Sequence, residues 1–330
     1  MLPGPLMSGP QSVISRAMIV FLISGVAGVR RGPSRRWRHN RVFGDGSAGV
    51  DLLSCGLAKL TQALLVRDPG EGVAADGTIT TGVARSRVPQ PFEPVLSAAV
   101  EAIAEAGRDA SAYLYGSVAT GQARHARSDV DLLTVGLGPE LAAELGGELS
   151  SQFSGLCRGV EIAAAMPGDL AGGSDEAYGF RVFLRHYCIH LAGPDYVHGL
   201  PRFPADARAA RGFNGDIAQH AARWRDALAA GDEPGRLGRQ LARKTLLAVA
   251  GLVSIHDATW TTDRALAAHR WAEIEPELGP ALDALLAWSD GLVRPGHQAV
   301  RHMLDITTPR ITAAFARTIG LWPGDVHRWH

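Results

Sequence analysis

Asp129 and Asp131 stand two residues apart in the run Ser128-Asp129-Val130-Asp131-Leu132-Leu133. The apolar residues after Asp129 read as a strand, and alternate residues of a strand leave the same face. Two carboxylates placed so closely repel one another, and burial makes the repulsion worse unless a cation holds them. A magnesium ion answers that need, since it takes hard oxygen ligands and uses one or two carboxylates together with substrate phosphates. Upstream, Gly116-Ser117 follows the apolar run Ala112-Tyr113-Leu114-Tyr115. A strand that ends there and opens a helix would leave backbone N–H groups aimed at a phosphate, and glycine would let the backbone come close. A third acid, Glu161, lies in the otherwise apolar stretch Val160-Glu161-Ile162. A lone carboxylate is costly to bury there, so Glu161 should have a partner: the same metal, or an acceptor hydroxyl whose proton it takes as a general base.

These residues need a scaffold of strands and helices to bring them together. Residues 94–107 carry Val95, Leu96, Val100, Ile103 and Ala104 at helical spacing, with Gly107 as a stop. Strands are expected over 112–115, 130–135 and 160–165, with a helix over 139–153 between the last two. This is a small mixed α/β unit. From about residue 175 the strand signal fades, and helices are expected over 178–191, 216–230, 235–256, 262–272, 280–292 and 297–319. Gly and Pro clusters separate them, as expected of a helical bundle. The fold class is therefore α+β, in three parts: a poorly structured N-terminal extension over 1–90, an α/β domain over 91–175 and an all-helical domain over 176–330. Within the extension only 51–66 has helical periodicity; the Gly/Thr-rich stretch 70–82 and the arginine cluster 30–41 have none.

Bulk composition narrows the function further. The chain has 330 residues, 46% hydrophobic and 20% charged, with a formal net charge of zero. That is a soluble globular profile without the basic field of a dedicated nucleic-acid binder. Cys55, Cys157 and Cys188 form neither a disulfide framework nor a zinc spacing. The apolar run 17–29 is short for a membrane span, and four arginines (Arg30, Arg31, Arg35, Arg36) follow it. A cytoplasmic protein with no membrane partner is expected.

The segment from Gly116-Ser117 through Asp129-x-Asp131 to Glu161 resembles the polymerase-β-like nucleotidyltransferase superfamily. The second half is similar to the accessory domain of aminoglycoside adenylyltransferases of the streptomycin/spectinomycin type. That similarity rests on Leu191-Ala192-Gly193-Pro194, residues 243–255, Thr261-Thr262-Asp263-Arg264 and Trp271-Ala272. The resemblance implies Mg2+ on Asp129, Asp131 and Glu161, with ATP or another nucleoside triphosphate as co-substrate. It implies transfer of a nucleoside monophosphate, AMP first among them, to a hydroxyl of a small acceptor such as an aminoglycoside, with release of pyrophosphate. In that family the acid matching Glu161 serves as catalytic base.

Gly116 and Ser117 are then the nucleotide-binding turn. Lys244, with Arg236, Arg239 and Arg243 on a similar helical face, has two readings: a cation reaching the triphosphate across a cleft, or part of a solvated basic surface. Trp260, Trp271 and Trp288 read as bundle core, with base stacking as the other option. Asp175 and Tyr178 stand at the junction and are candidates for lining a cleft. Two other functions fit the same motif: nucleotidylation of RNA or protein, with nucleic acid as a less favoured partner, and nucleotide binding without turnover.

Overall fold

The computed structural model describes residues 68–323. The expected helix 51–66, the apolar run 17–29, the arginine cluster 30–41 and Cys55 lie outside the described residues. The chain forms a hairpin of β1 (Gly72–Val73) and β2 (Ile79–Thr80), then α1 (Glu93–Ala106), β3 (Ser111–Tyr115), α2 (Gly116–Ala119), β4 (Val130–Val135), α3 (Pro139–Gln152) and β5 (Val160–Ala165). There follow α4 (Asp175–Tyr187), β6 (Ile189–Ala192), α5 (Ala207–Asn214), α6 (Ile217–Ala229), α7 (Pro234–His256), α8 (Arg264–Ile274), α9 (Gly279–Ser289) and α10 (His297–His302). A π-helical segment (Met303–Thr307) leads into α11 (Thr308–Thr318). No helix among the described residues is long and apolar enough to cross a membrane.

The main sheet has the strand order β5-β4-β3-β6. β4 and β5 are parallel and joined through α3, while β3 runs antiparallel to both β4 and β6. Strands covered on both faces read as unbroken apolar runs rather than alternating ones, which is why β3, β4 and β5 were visible in the sequence. Their alternate residues serve two cores. Ala112, Leu114, Val130, Leu132, Ile162 and Ala164 pack with Val95, Leu96 and Ile103 of α1 and Leu149 of α3. Tyr113, Tyr115, Leu133, Val135, Ala163 and Ala165 pack instead with Phe180 and Phe183 of α4 and with the helices beyond. α7 lies at the centre of those helices and is buried over most of its length. At the α4–α5 crossing Gly179 meets Gly212, and a Cβ at either position would run into the other helix's backbone.

The structure differs from the sequence expectation in three places, of which one is α5, a helix not expected over 207–214. Residues 70–82 are not structureless: they form the β1–β2 hairpin. Asp68 closes it, its carboxylate accepting from the Gly70 N–H (2.9 Å) and the Gly82 N–H (2.8 and 2.9 Å). Ile79 is fully buried, and its N–H donates to the Phe203 carbonyl at 2.9 Å. Strands of two residues are too short to show a period. The helix expected over 178–191 instead stops at Tyr187, where Cys188 turns extended (φ −117°, ψ 145°), and Ile189–Ala192 adds an edge strand to the main sheet. The sheet thus continues past residue 175.

Glu71 ties the hairpin to the helices. Its carboxylate accepts from the Tyr187 hydroxyl (2.6 Å), the Thr262 hydroxyl (2.8 Å) and the Thr262 N–H (2.7 Å), and the Trp260 indole donates to the Tyr187 oxygen (2.8 Å). Burial outweighs the pull of these donors and pushes the Glu71 carboxyl up to about 7.

Candidate active site

Strand parity decides where the acids point. Asp131 shares its parity with Leu133 and Val135, and Glu161 with Ala163 and Ala165, so both lie on the sheet face covered by the helices. Asp129, one residue before β4, has the same parity. In the parallel ladder Asp131 is in register with Glu161, and in the antiparallel ladder it is in register with Tyr115, the residue before the Gly116 turn. Asp131 is 5% exposed and Asp129 7%, whereas Glu161 is half-buried.

Gly116 is required twice over. Its φ is +74°, a region that side chains with a Cβ avoid, and a Cβ there would collide with Asp131 Oδ2. The turn backbone is therefore pressed against the second aspartate. Ser117 follows in the first turn of α2. At the N-cap of that helix, Tyr115 is extended and makes no side-chain capping bond. The loop from α2 to β4 is folded by the Arg124 N–H donating to Ser128 Oγ (2.9 Å) and the Ser128 N–H donating to the Arg124 carbonyl (2.9 Å).

The sequence reading missed Arg158. Its guanidinium is forked onto Asp129, with Nε donating to Oδ1 at 2.9 Å and Nη2 donating to Oδ2. The backbone holds it in place, since the Arg158 N–H donates to the Ser128 carbonyl (3.0 Å) and the Val130 N–H to the Gly159 carbonyl (2.9 Å), extending the β4–β5 ladder. The hydrogen bond to Asp129 raises the Arg158 pKa further above its ordinary value. The charges of Asp129, Glu161 and Asp131 add to this, against the opposing effect of burial. All three acids therefore act on one guanidinium. A cation three residues before a strand acid was the available sequence signal.

Among the described residues, no group of three or more His, Cys, Asp or Glu side chains is arranged as a metal cage. The donor chemistry still suits a hard cation that relies on one or two carboxylates and on phosphate oxygens. Two buried carboxylates flank Val130, and a positive group, Arg158, already stands in for a cation at Asp129.

Residues 96–158 match the nucleotidyltransferase domain family. The chain carries a nucleotidyltransferase domain, and with it the protein is a transferase. The matched segment of the domain includes Gly116, Ser117, Asp129 and Asp131, and it ends at Arg158, short of Glu161. Among solved structures, spectinomycin adenyltransferase AAD(9) from Enterococcus faecialis, with ATP and spectinomycin, is similar. The identity is 13% and the TM-score 0.41, over 67% of this chain and 98% of that one. No curated protein matches the chain.

Lys244, expected as a phosphate-binding cation, is engaged elsewhere. It is 4% exposed, and its Nζ sits 2.7 Å from Asp216 Oδ1 and donates to the Phe213 carbonyl at 3.0 Å. His220 Nε2 lies 3.1 Å from the other Asp216 oxygen. Burial works against the Asp216 charge, but Lys244 and His220 overcome it and hold the carboxyl below its usual range. The basic-face expectation fails at Arg243 and Lys244, which the surrounding helices bury, while Arg236 near the start of α7 is exposed. Trp260, Trp271 and Trp288 are core residues. Asp175 pairs with Arg211 (2.7 Å), and Arg208 covers the Tyr178 ring at 4.1 Å, so both junction residues bind α4 to α5.

Proposed function

We propose that this protein is a metal-dependent nucleotidyltransferase. It moves a nucleoside monophosphate, AMP in the first instance, from a nucleoside triphosphate to a hydroxyl of a small acceptor of the aminoglycoside kind. The observation that supports this reading is the register of Asp131 with Glu161 on neighbouring strands, with Gly116 packed against Asp131 and Asp129 two residues before it. Asp129 and Asp131 would hold a magnesium ion that neutralises charge on the attacking and leaving oxygens. Gly116 and Ser117 bring backbone N–H groups to the phosphates. Glu161, in register with Asp131 and less buried than it, takes the proton of the acceptor hydroxyl. That oxygen bonds to the α-phosphorus, the bond from the α-phosphorus to the bridging oxygen breaks, and pyrophosphate leaves. Lys244 has no part in this step. The small-molecule acceptor is supported by the family resemblance and by the long helical half beside the site. The reaction is assigned to the cytoplasm.

The test is incubation with Mg2+ and each labelled nucleoside triphosphate against an aminoglycoside panel, total tRNA and cell lysate. Label on a small acceptor, with pyrophosphate released in step, is the expected result. Asp131→Ala should stay folded by circular dichroism and lose transfer. Near-wild-type pyrophosphate release by that folded variant would overturn the assignment.

A further inference from the structure

We infer that Arg158 is a positioning residue that competes with the divalent cation for Asp129, so that the affinity of the site for metal is set by how readily this guanidinium lets go. The inference rests on the metal-dependent reading above. Arg158 uses both oxygens of Asp129, Nε on Oδ1 and Nη2 on Oδ2. A cation bound to Asp129 must draw on at least one of those oxygens, so the fork and the metal compete for the same carboxylate. Arg158 is also positioned to yield. Its backbone is fixed by the ladder bond to Ser128, while its side chain is 29% exposed against 7% for Asp129. The guanidinium can therefore swing outward without disturbing the strand, while the carboxylate stays where it is. A Cβ at Gly159 would come to 3.5 Å from Asp129 Oδ1, so the next residue leaves room on that side of the carboxylate.

The same geometry gives Arg158 a second consequence. It pairs with both oxygens of Asp129, so it offsets the charge of that carboxylate whenever no metal does. Loss of the arginine should therefore weaken the metal-free fold and strengthen metal binding together. A purely structural arginine would do the opposite to binding, because its loss would scatter the ligands.

The test is Mn2+ titration of the nucleotide-free protein, followed by electron paramagnetic resonance of the unbound ion, for wild type, Arg158→Gln, Arg158→Lys and Asp129→Asn. Arg158→Gln should bind Mn2+ about tenfold more tightly than wild type, the order expected when a bidentate charged competitor is removed. Arg158→Lys keeps the charge without the fork and should fall between the two. Asp129→Asn should lose the tight site. In thermal melts, Arg158→Gln should melt below wild type without metal and gain more from Mn2+ than wild type does. Equal or weaker Mn2+ binding by folded Arg158→Gln and Arg158→Lys overturns the inference and leaves the metal-dependent reading standing. No Mn2+ binding by any variant, wild type included, overturns the inference alone, because the metal-dependent reading draws on the nucleotide's phosphate oxygens as well. Should Arg158→Gln fail to fold, the lysine variant decides alone.

Discussion

Gly116→Ala probes the contact on which the site depends. Two costs act on it. The φ of +74° must be kept by a residue with a Cβ, which costs roughly 1–2 kcal/mol. In addition, the new methyl would lie 3.0 Å from Asp131 Cγ and 3.3 Å from Asp131 Cβ, with the carboxylate oxygen closer still. Ordinary carbon contacts begin near ~3.5 Å, so the carboxylate must retreat by something on the order of 1 Å. A displacement of that size at a reacting centre costs about 100-fold in rate. Gly116→Ala should therefore melt a few degrees lower and release pyrophosphate about 100-fold more slowly. Gly147→Ala is the matched control: it sits on the exposed side of α3 with nothing within 4 Å of its would-be Cβ. It should be active, and stabilised by up to about 1 kcal/mol through helix propensity. The assays are calorimetry for stability and coupled pyrophosphate detection for rate. A folded Gly116→Ala variant that works at the wild-type rate would show that Asp131 is not held where the reaction needs it.

Two further substitutions examine residues away from the sheet. Lys244→Met leaves Asp216 buried beside a neutral chain, which should cost about 3–5 kcal/mol in urea unfolding, and Lys244→Met with Asp216→Asn should recover part of that loss. A Lys244→Met variant of normal stability but with a much raised KM for the nucleotide would instead restore the phosphate-binding role. For Glu71 the folded carboxyl is raised to about 7 from an ordinary value of 4.5, so the folded state holds the proton more tightly than the unfolded chain does. The stabilisation from that proton is complete below about pH 4.5 and is lost as pH rises through about 7, at most about 3 kcal/mol. The stability of wild type relative to Glu71→Gln should therefore fall between pH 5 and 8. His186, which burial lowers to about 4, titrates in both proteins and cancels in the comparison. A constant difference between the two proteins across that range would refute the argument.

The sequence made legible those elements whose whole side-chain pattern answers to one environment. β3, β4 and β5 are apolar because both faces are covered, and Gly and Pro mark the ends of α1 and α3. The acids were legible because strand parity is a local property, and 129 and 131 share a face in any strand. What escaped depends on partners far along the chain. Arg158 acquires its role only when β5 lies beside β4, 29 residues from Asp129 in sequence. Lys244 reads as a phosphate-binding cation or part of a basic surface because its neighbours in sequence include Arg236, Arg239 and Arg243, and nothing local says that Lys244 itself is enclosed. β6 reads as the end of a helix in the sequence because four residues on a sheet edge carry too little pattern to contradict the thirteen helical residues before them.

The return of the chain to the sheet at β6 bears on how the two halves can move. After β5 the backbone passes through α4, comes back to lie beside β3, and only then departs for the remaining helices. The hairpin, held to the helices through Glu71 and Ile79, also leads back toward α2, where the Ala84 N–H donates to the Ala119 carbonyl. A jaw swinging on a single hinge at residue 175 would have to peel away an edge strand.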